Sequence, residues 1–312
     1  MPNTIQLAKN YTALLDEVYQ AASVVGDLNT SPEMARAGAN ANEIVYPQIS
    51  VTGLGDYNRN SGYTTGAVDL KWVTAAFNYD RGTKISVDVM DNVETSNLAF
   101  GMAGSELMRT KAAPEGDAFF FATVASFSGI STETGEIKTA EQFLDALLTA
   151  WSKMDDDEVP QEERYLYARS SLLNSAMSLD SYKSKEILNK FAVKKPVPSA
   201  RFYTDIDLLD GKTPGEEIGH YKKSADASAI DFVIIHKPAI IKFDKHVAND
   251  IIPASINADA DADIIKYRKY AMVDGYKNKR AGIYMHSSQT GSQGVLYRGE
   301  IKYPSTAAFL QI

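Results

Sequence analysis

The sequence predicts an α+β fold, and three observations carry that prediction. Residues 68–89 alternate apolar and polar side chains with the period of two that a strand requires, and residues 94–127 then repeat apolar positions at three-to-four spacing, as a helix does. Between 136 and 250, short helical and strand patterns follow one another. Asp274-Gly275 then separates two more strand-like runs, which predicts a hairpin turn.

The chain has 312 residues, 44% of them hydrophobic, so it can bury a substantial core. Its net charge of −8 argues against tight general binding to a nucleic-acid backbone, which needs clustered Lys and Arg. There are no cysteines, which removes disulfides, thiolate metal sites and cysteine nucleophiles together. The longest apolar runs fall short of the ~20 residues that cross a bilayer. The start, MPNTIQLAKNY, lacks the basic and apolar regions of a signal peptide. A soluble protein made in a cytoplasm is expected.

Residues 4–25 read as an amphipathic helix, with Ala8, Tyr11, Leu15, Val18, Ala22 and Val25 on one stripe and Asn3 with Gln6 as a capping pair. Gly26 and Pro32 end it, and the small polar run ARAGANANEI follows. Residues 44–67 open with a short strand and pass into a loop rich in Gly, Asn, Thr and Tyr, residue types that tolerate turns. From Val68 the alternation resumes. Val68, Leu70 and Trp72 share one face; Val73, Phe77, Tyr79, Ile85, Val87 and Val89 share the other. That change of face predicts a bulge or strand switch at Trp72–Val73. Unbroken, the strand from Val68 to Val89 would span on the order of 70 Å. With its partner it makes a long projecting hairpin tipped by glycine.

Asp91 and Glu94 form a capping box at a helix start. Phe100, Ala103, Leu107, Ala118, Phe121 and Ala125 continue the helical stripe. Pro114 should kink or break this helix, because it lacks an N–H and clashes with the carbonyl of Thr110. Residues 131–138 read as a turn or short hairpin, and Thr139 starts a helix. MDDDEVPQEE is a charged loop, RYLYAR a strand, SSLLNSAMS a short helix and KKPVPS a proline-bounded connection. DLLDGKTPGEEIGHYKK reads as a polar loop, and AIDFVIIHKPAIIKF as a buried strand pair around Lys237-Pro238. The tail after 293 offers one more short strand.

Catalytic patterns are thin. His220, His236, His246 and His286 lack zinc-helix spacing, and satisfied structural histidines are the reading they favour, although His236 and His246 could meet across a hairpin. GLGDYNRN lacks the third glycine of a dinucleotide fingerprint and the end of a phosphate loop. The acidic runs 154–158 and 259–263 offer oxygen ligands but no calcium-loop pattern, and solvated charges explain them. Asp88, Asp91 and Glu94 lie close together, but capping accounts for two of them. No G-x-S-x-G occurs. No catalytic residue, cofactor or metal is expected. The aromatics are more telling. Tyr57, Tyr63 and Trp72 lie on or beside the projecting hairpin, where they would face either a partner or the protein's own arm.

Taken in order, the segments YPQISVTGLGDYNRNSGYTTGAVDLKW, YDRGTKISVDVMDNVET, ELMRTKAAPEGDAFFFATVAS, VPQEERYLYARSSLLN, FVIIHKPAII and NKRAGIYMH resemble the major capsid protein of tailed bacteriophages. The likeness runs from about residue 1 to residue 286, and the order of the pieces is its specific part. It implies the tailed-phage capsid fold. Residues 1–43 would be an N-terminal arm and 44–82 an extended hairpin loop over a neighbouring subunit. Residues 83–135 and 251–312 would form a peripheral domain with a spine helix, and 136–250 an axial domain. The tip residues Leu54, Asp56, Tyr57, Asn58, Arg59 and Tyr63, with Trp72, would meet other subunits. Phe100, Leu107, Pro114 and Phe121 would mark the spine helix.

The resemblance also implies a function. Copies would close as hexamers and pentamers into an icosahedral shell around double-stranded DNA, which they would touch weakly. Separate scaffolding, portal and head-decoration or tail-connector proteins would be partners, and no membrane would be. The place would be the virion, assembled in the bacterial host cytoplasm. Some relatives carry a cleaved assembly domain, but here the arm starts near Met1. Others crosslink Lys to Asn; Lys71 lies at the hairpin base while Asn58 and Asn60 are nearer its tip, so no crosslink is expected. Two alternatives stand beside this reading: an encapsulin-like nanocompartment shell, and a metal-assisted hydrolase using the acidic runs with His236 or His246.

Overall fold

The computed structural model describes residues 23–29, 36–37, 43–60, 62–94, 98–179 and 181–288, with the backbone alone at 36–37 and 98–101. The helix expected over 4–25, its Asn3–Gln6 cap and the tail strand lie outside these residues, apart from Ser23 to Val25. Gly26–Leu28 form a single 3-10 turn.

Strands β1 (Arg36–Ala37), β2 (Glu43–Val51) and β3 (Val68–Ala76) form an antiparallel sheet in that order. Strand β4 (Tyr79–Asp88) starts only three residues later but belongs to another sheet. The chain therefore changes sheets at Phe77–Asn78, five residues beyond the expected switch. There the Asn78 side chain bonds both the N–H (3.0 Å) and the carbonyl (2.8 Å) of Val273, taking a backbone's place in the gap.

Helix α1 (Val89–Glu94) begins earlier than expected. Asp88 caps it by accepting from the Met90 N–H at 2.8 Å, so Asp91 lies inside the first turn rather than before it. Helix α2 (Leu98–Leu107) runs through a π turn, Met108–Ala112, into α3 (Ala113–Ala125). The Ala113 N–H reaches back to the Met108 carbonyl, five residues away. This is how the chain accommodates Pro114: the wider π turn sits immediately before it and Pro114 occupies the first turn of α3, where a missing N–H costs little. The expected break is absent, and the backbone stays helical through residues 98–125.

The second half of the chain builds a five-stranded sheet in the order β5 (Ser131–Thr134), β13 (Ile283–Ser287), β10 (Ile230–His236), β6 (Arg164–Arg169), β7 (Val193–Val197). Its two outer pairings are parallel and its inner ones antiparallel. Helices α4 (Ala140–Asp156), α5 (Ser170–Ser178) and α6 (Tyr182–Asn189) cover one face, where Phe143, Leu147 and Trp151 meet Leu166, Phe232 and Ile234. Helix α3 covers the other, where Phe120 and Phe121 meet Tyr167, Val233 and Ile235. Both faces are thus buried, which explains the continuous apolar run Phe232 to Ile235 within β10. The helix start expected at Thr139 is present, and Thr139 forms a capping box with Gln142. A two-stranded ribbon, β8 (Ile206–Leu208) with β9 (Tyr221–Lys223), supports the loop between them.

A third antiparallel sheet has the order β11 (Ile240–Ile252), β12 (Ala262–Gly275), β4. It corrects two expected pairings. β10 and β11 flank Lys237-Pro238 but lie in different sheets, and so do β12, which ends on Asp274-Gly275, and β13 beyond it. Residues 131–134 are a parallel strand rather than a turn, and 193–197 a strand rather than a connection.

Candidate assembly interface

The hairpin β2–β3 keeps an unbroken register from Glu43–Ala76 to Val51–Val68. No bulge interrupts it at Trp72–Val73. What changes there is the covering. Near the base, Ile44, Tyr46, Val73 and Ala75 share one face and pack on Phe77, Ile241 and Met272. Further out that same face turns polar, with Gln48, Ser50, Asp69 and Lys71. The opposite face carries the cross-strand pairs Pro47–Trp72, Ile49–Leu70 and Val51–Val68. Of these side chains all but the half-buried Pro47 are exposed; Val68 is 72% exposed and Trp72 45%. The apolar stripe thus leaves the protein's own core and continues on the outward face.

The tip is ordered by local bonds. Thr52 closes its neck, donating from N to the Ala67 carbonyl (3.0 Å) and accepting from the Ala67 N–H at its hydroxyl (2.9 Å). Asn58 and Gly62 exchange backbone bonds around a turn, and Gly62 takes φ +79°, which favours glycine. The Tyr57 and Tyr63 rings meet at 4.9 Å. Leu54 (107% exposed) and Tyr63 (88%) are open to solvent, as are Asp56, Tyr57, Asn58 and Arg59. Lys71 pairs with its neighbour Asp69 at 2.6 Å.

Of the helix markers, Phe121 is fully buried against Tyr167 and Phe202, Leu107 and Pro114 are half-buried, and the side chain of Phe100 lies outside the described residues. Two residues that sequence reasoning missed do more. Glu115 and Asp117, two positions apart on α3, are both buried carboxylates. Asp117 accepts from the Ser23 hydroxyl (2.7 Å), the Val24 N–H (2.9 Å) and Arg201 (3.0 Å). It therefore anchors the chain where the N-terminal segment joins the body.

Lys242 on β11 is the second anchor. Its ammonium donates to the Val25 carbonyl (3.0 Å) and the Asn29 side chain (2.9 Å). Burial, helped by the nearby Lys269 charge, pushes its pKa down to about 8. Below that pH the fold holds a buried charge. Between there and the unfolded lysine value of roughly 10.4, the folded side chain is neutral while the unfolded chain keeps its proton, so stability rises with pH. Urea unfolding should show wild type gaining on Lys242→Met by on the order of 2 kcal/mol as pH rises across that window. A pH-independent difference would refute the buried-charge account.

The histidines do not assemble a site. His236 and His246 lie on β10 and β11, in different sheets. His286 bonds Asp231 at 3.0 Å and stacks on Phe232 in the core. Among the described residues, no group of three or more His, Asp or Glu side chains is placed to hold a metal ion, and no helix is long and apolar enough to cross a membrane.

A projecting ribbon, a long helix and a helix-covered sheet, in this order, are the fold of phage capsid proteins, and this chain has that fold. A chain of Mycobacterium phage Che8 is similar to it with a TM-score of 0.55 and 15% identity, covering 85% of this chain and 90% of that one. The capsid structure of the Cyanophage P-SCSP1u aligns with a TM-score of 0.56 and 13% identity, over 86% and 88% of the two chains. The virus-like particle from Pyrococcus furiosus gives a TM-score of 0.53 and 10% identity, over 89% and 98%. At identities this low, the structural likeness shows a shared fold alone. No protein-family model matches the sequence, and no curated protein does.

Proposed function

We propose that this protein is the structural subunit of a tailed-phage capsid, self-assembling into the icosahedral shell of the virion around double-stranded DNA. The observation that carries this reading is the outward apolar face of the β2–β3 ribbon. Burying a large apolar side chain contributes about 1.5–3 kcal/mol. The five exposed ones on this face, from Ile49 to Trp72, could together contribute on the order of 10 kcal/mol. Association itself costs roughly 4–15 kcal/mol. One ribbon contact is therefore marginal, and closure around a shell, where each copy gives and receives several contacts, makes it stable.

In this reading the tip from Leu54 to Tyr63, with Trp72, lies on a neighbouring subunit. The residues before 43 form an arm anchored at Asp117 and Lys242, and hexamers and pentamers are the capsomers. The elements 83–135 and 251–312 serve as the peripheral domain and 136–250 as the axial domain, with β5, β11 and β13 crossing between the two. Scaffolding, portal and head-decoration or tail-connector proteins are separate partners, DNA is touched weakly, and assembly takes place in the bacterial host cytoplasm. The chemistry is association rather than catalysis. Negative-stain microscopy of the expressed protein, alone and with a candidate scaffold, tests this: closed particles support it, and monomers under every condition would count against it. Particles enclosing an enzyme cargo would instead identify a nanocompartment.

A further inference from the structure

A buried polar hub at the start of α3 remains outside the assembly argument. Glu115 accepts from Arg81 Nε (2.6 Å) and the Tyr79 hydroxyl (3.1 Å) at Oε1, and from Arg81 Nη2 (3.3 Å) at Oε2. The same Arg81 nitrogen donates to the carbonyls of Leu209 (2.7 Å) and His220 (3.3 Å). Those residues are the two ends of one loop, closed at its neck by the Leu209 N–H on the His220 carbonyl (2.9 Å). One guanidinium thus ties β4, α3 and the loop together. His220 itself takes φ +74°, a left-handed backbone that side chains rarely adopt. Its Nδ1 is buried, has no hydrogen-bond partner and stands 3.6 Å from Glu115 Oε2, just beyond bonding distance.

We infer that His220 is a protonation-dependent latch that fastens the 209–220 loop to α3 through Glu115. A neutral ring offers the carboxylate either a lone pair, which repels it, or an uncharged N–H. A protonated ring offers a charged N–H, and a charge-assisted bond in a partly dry site is the stronger one. A cavity of about 320 Å³ opens beside the hub and leaves the ring room to close the gap.

Other charges near the ring do not displace this pairing. Asp210 accepts from the loop's own amides at Lys212 and Thr213, and Glu217 from that at Gly215. Lys111 from the π turn and Lys212 from the loop line the same cavity, and both favour an ionised Glu115 over a charged His220. The Tyr221 ring packs tilted against the histidine ring at 4.5 Å, and Tyr267 of β12 lines the cavity.

Burial pushes the Glu115 carboxyl up, but the His220 ring close to Oε2, with the hydrogen bonds from Arg81 and Tyr79, outweighs it and holds the group below its ordinary value. Glu115 is therefore ionised across the range in which a histidine changes charge. Histidine changes charge between about pH 5 and 8. The latch closes on the acid side of that range and loosens as pH rises through it.

The test is amide exchange in residues 209–220 of the full-length protein at about pH 5.5 and about pH 8, each corrected for the intrinsic rate. Wild type should exchange roughly tenfold more slowly at the lower pH, the order expected for one hydrogen bond to a charged group. His220→Asn tolerates the left-handed backbone and should show no pH difference. Glu115→Gln, which keeps the shape and removes the charge, should lose the difference as well. Equal corrected protection in wild type would overturn the inference, as would a pH difference that persists in both variants. The readout is local to the subunit, so its failure leaves the shell proposal standing, and the failure of shells to form leaves the latch standing.

Discussion

Deleting residues 54–66 is expected to leave a folded subunit that no longer closes into shells. The cut removes Leu54, Asp56, Tyr57, Asn58, Arg59 and Tyr63, none of which belongs to a buried cluster. The ends it joins lie side by side at the neck, so the Thr52–Ala67 pair can open into a new turn around Gly53 while the register from Val51–Val68 inward is kept. Loss of an exposed loop changes stability by roughly 0.5 kcal/mol, within ordinary surface effects. Assembly should respond far more strongly, since each contact is marginal and every copy loses it at once. Circular dichroism and urea unfolding should match wild type, while micrographs show no closed particles. Normal particles from the deletion would mean that the tip is not an assembly contact.

The sequence showed the change of apolar face at Trp72–Val73, but local reasoning assigned it to the wrong cause. Alternation records which face is covered, not what covers it. Here Val73 faces the protein's own core and Trp72 faces outward across a continuous register. Asp274-Gly275 misled for a related reason. It has turn chemistry, with the Gly275 N–H on the Asp274 carboxylate at 2.7 Å, and it predicts a hairpin by that chemistry alone. Yet a Cβ on Gly275 would meet the Ala239 carbonyl and Phe127 at 3.2 Å, so glycine is there for close packing. The partners of β12 and β13 are fixed by strands far away in the chain, which no local pattern records. Pro196 hid strand β7 in the same way. Proline is tolerated there because β7 is a sheet edge, a property of the assembled sheet. The helices were legible where their stripes were long and capped, as at Thr139. The buried pair Glu115 and Asp117 was not, because a carboxylate on a helix reads as solvent-facing until its partners from β4, the 209–220 loop and the N-terminal segment are placed around it.

A charge placed at Phe121 should cost far more than one placed at Tyr57, and the comparison separates folding from assembly. Phe121 has no exposed surface and lies among the rings of Phe120, Tyr167 and Phe202 at 4.6–5.8 Å. Phe121→Asp removes those ring contacts and leaves a carboxylate in apolar surroundings, where an unpaired buried charge costs several kcal/mol. A domain is stable by roughly 5–15 kcal/mol, so this variant should be recovered mainly as insoluble or unfolded chain. Tyr57→Asp loses one ring contact, with Tyr63, at an exposed tip. It should fold with a stability change of about 1 kcal/mol or less. Soluble yield and urea midpoints check both statements, and equal yields would sink the assignment of residues 113–125 as the helix that covers the five-stranded sheet. Tyr57→Asp supplies folded subunits in quantity, and any failure of those subunits to close then belongs to the tip and not to the fold.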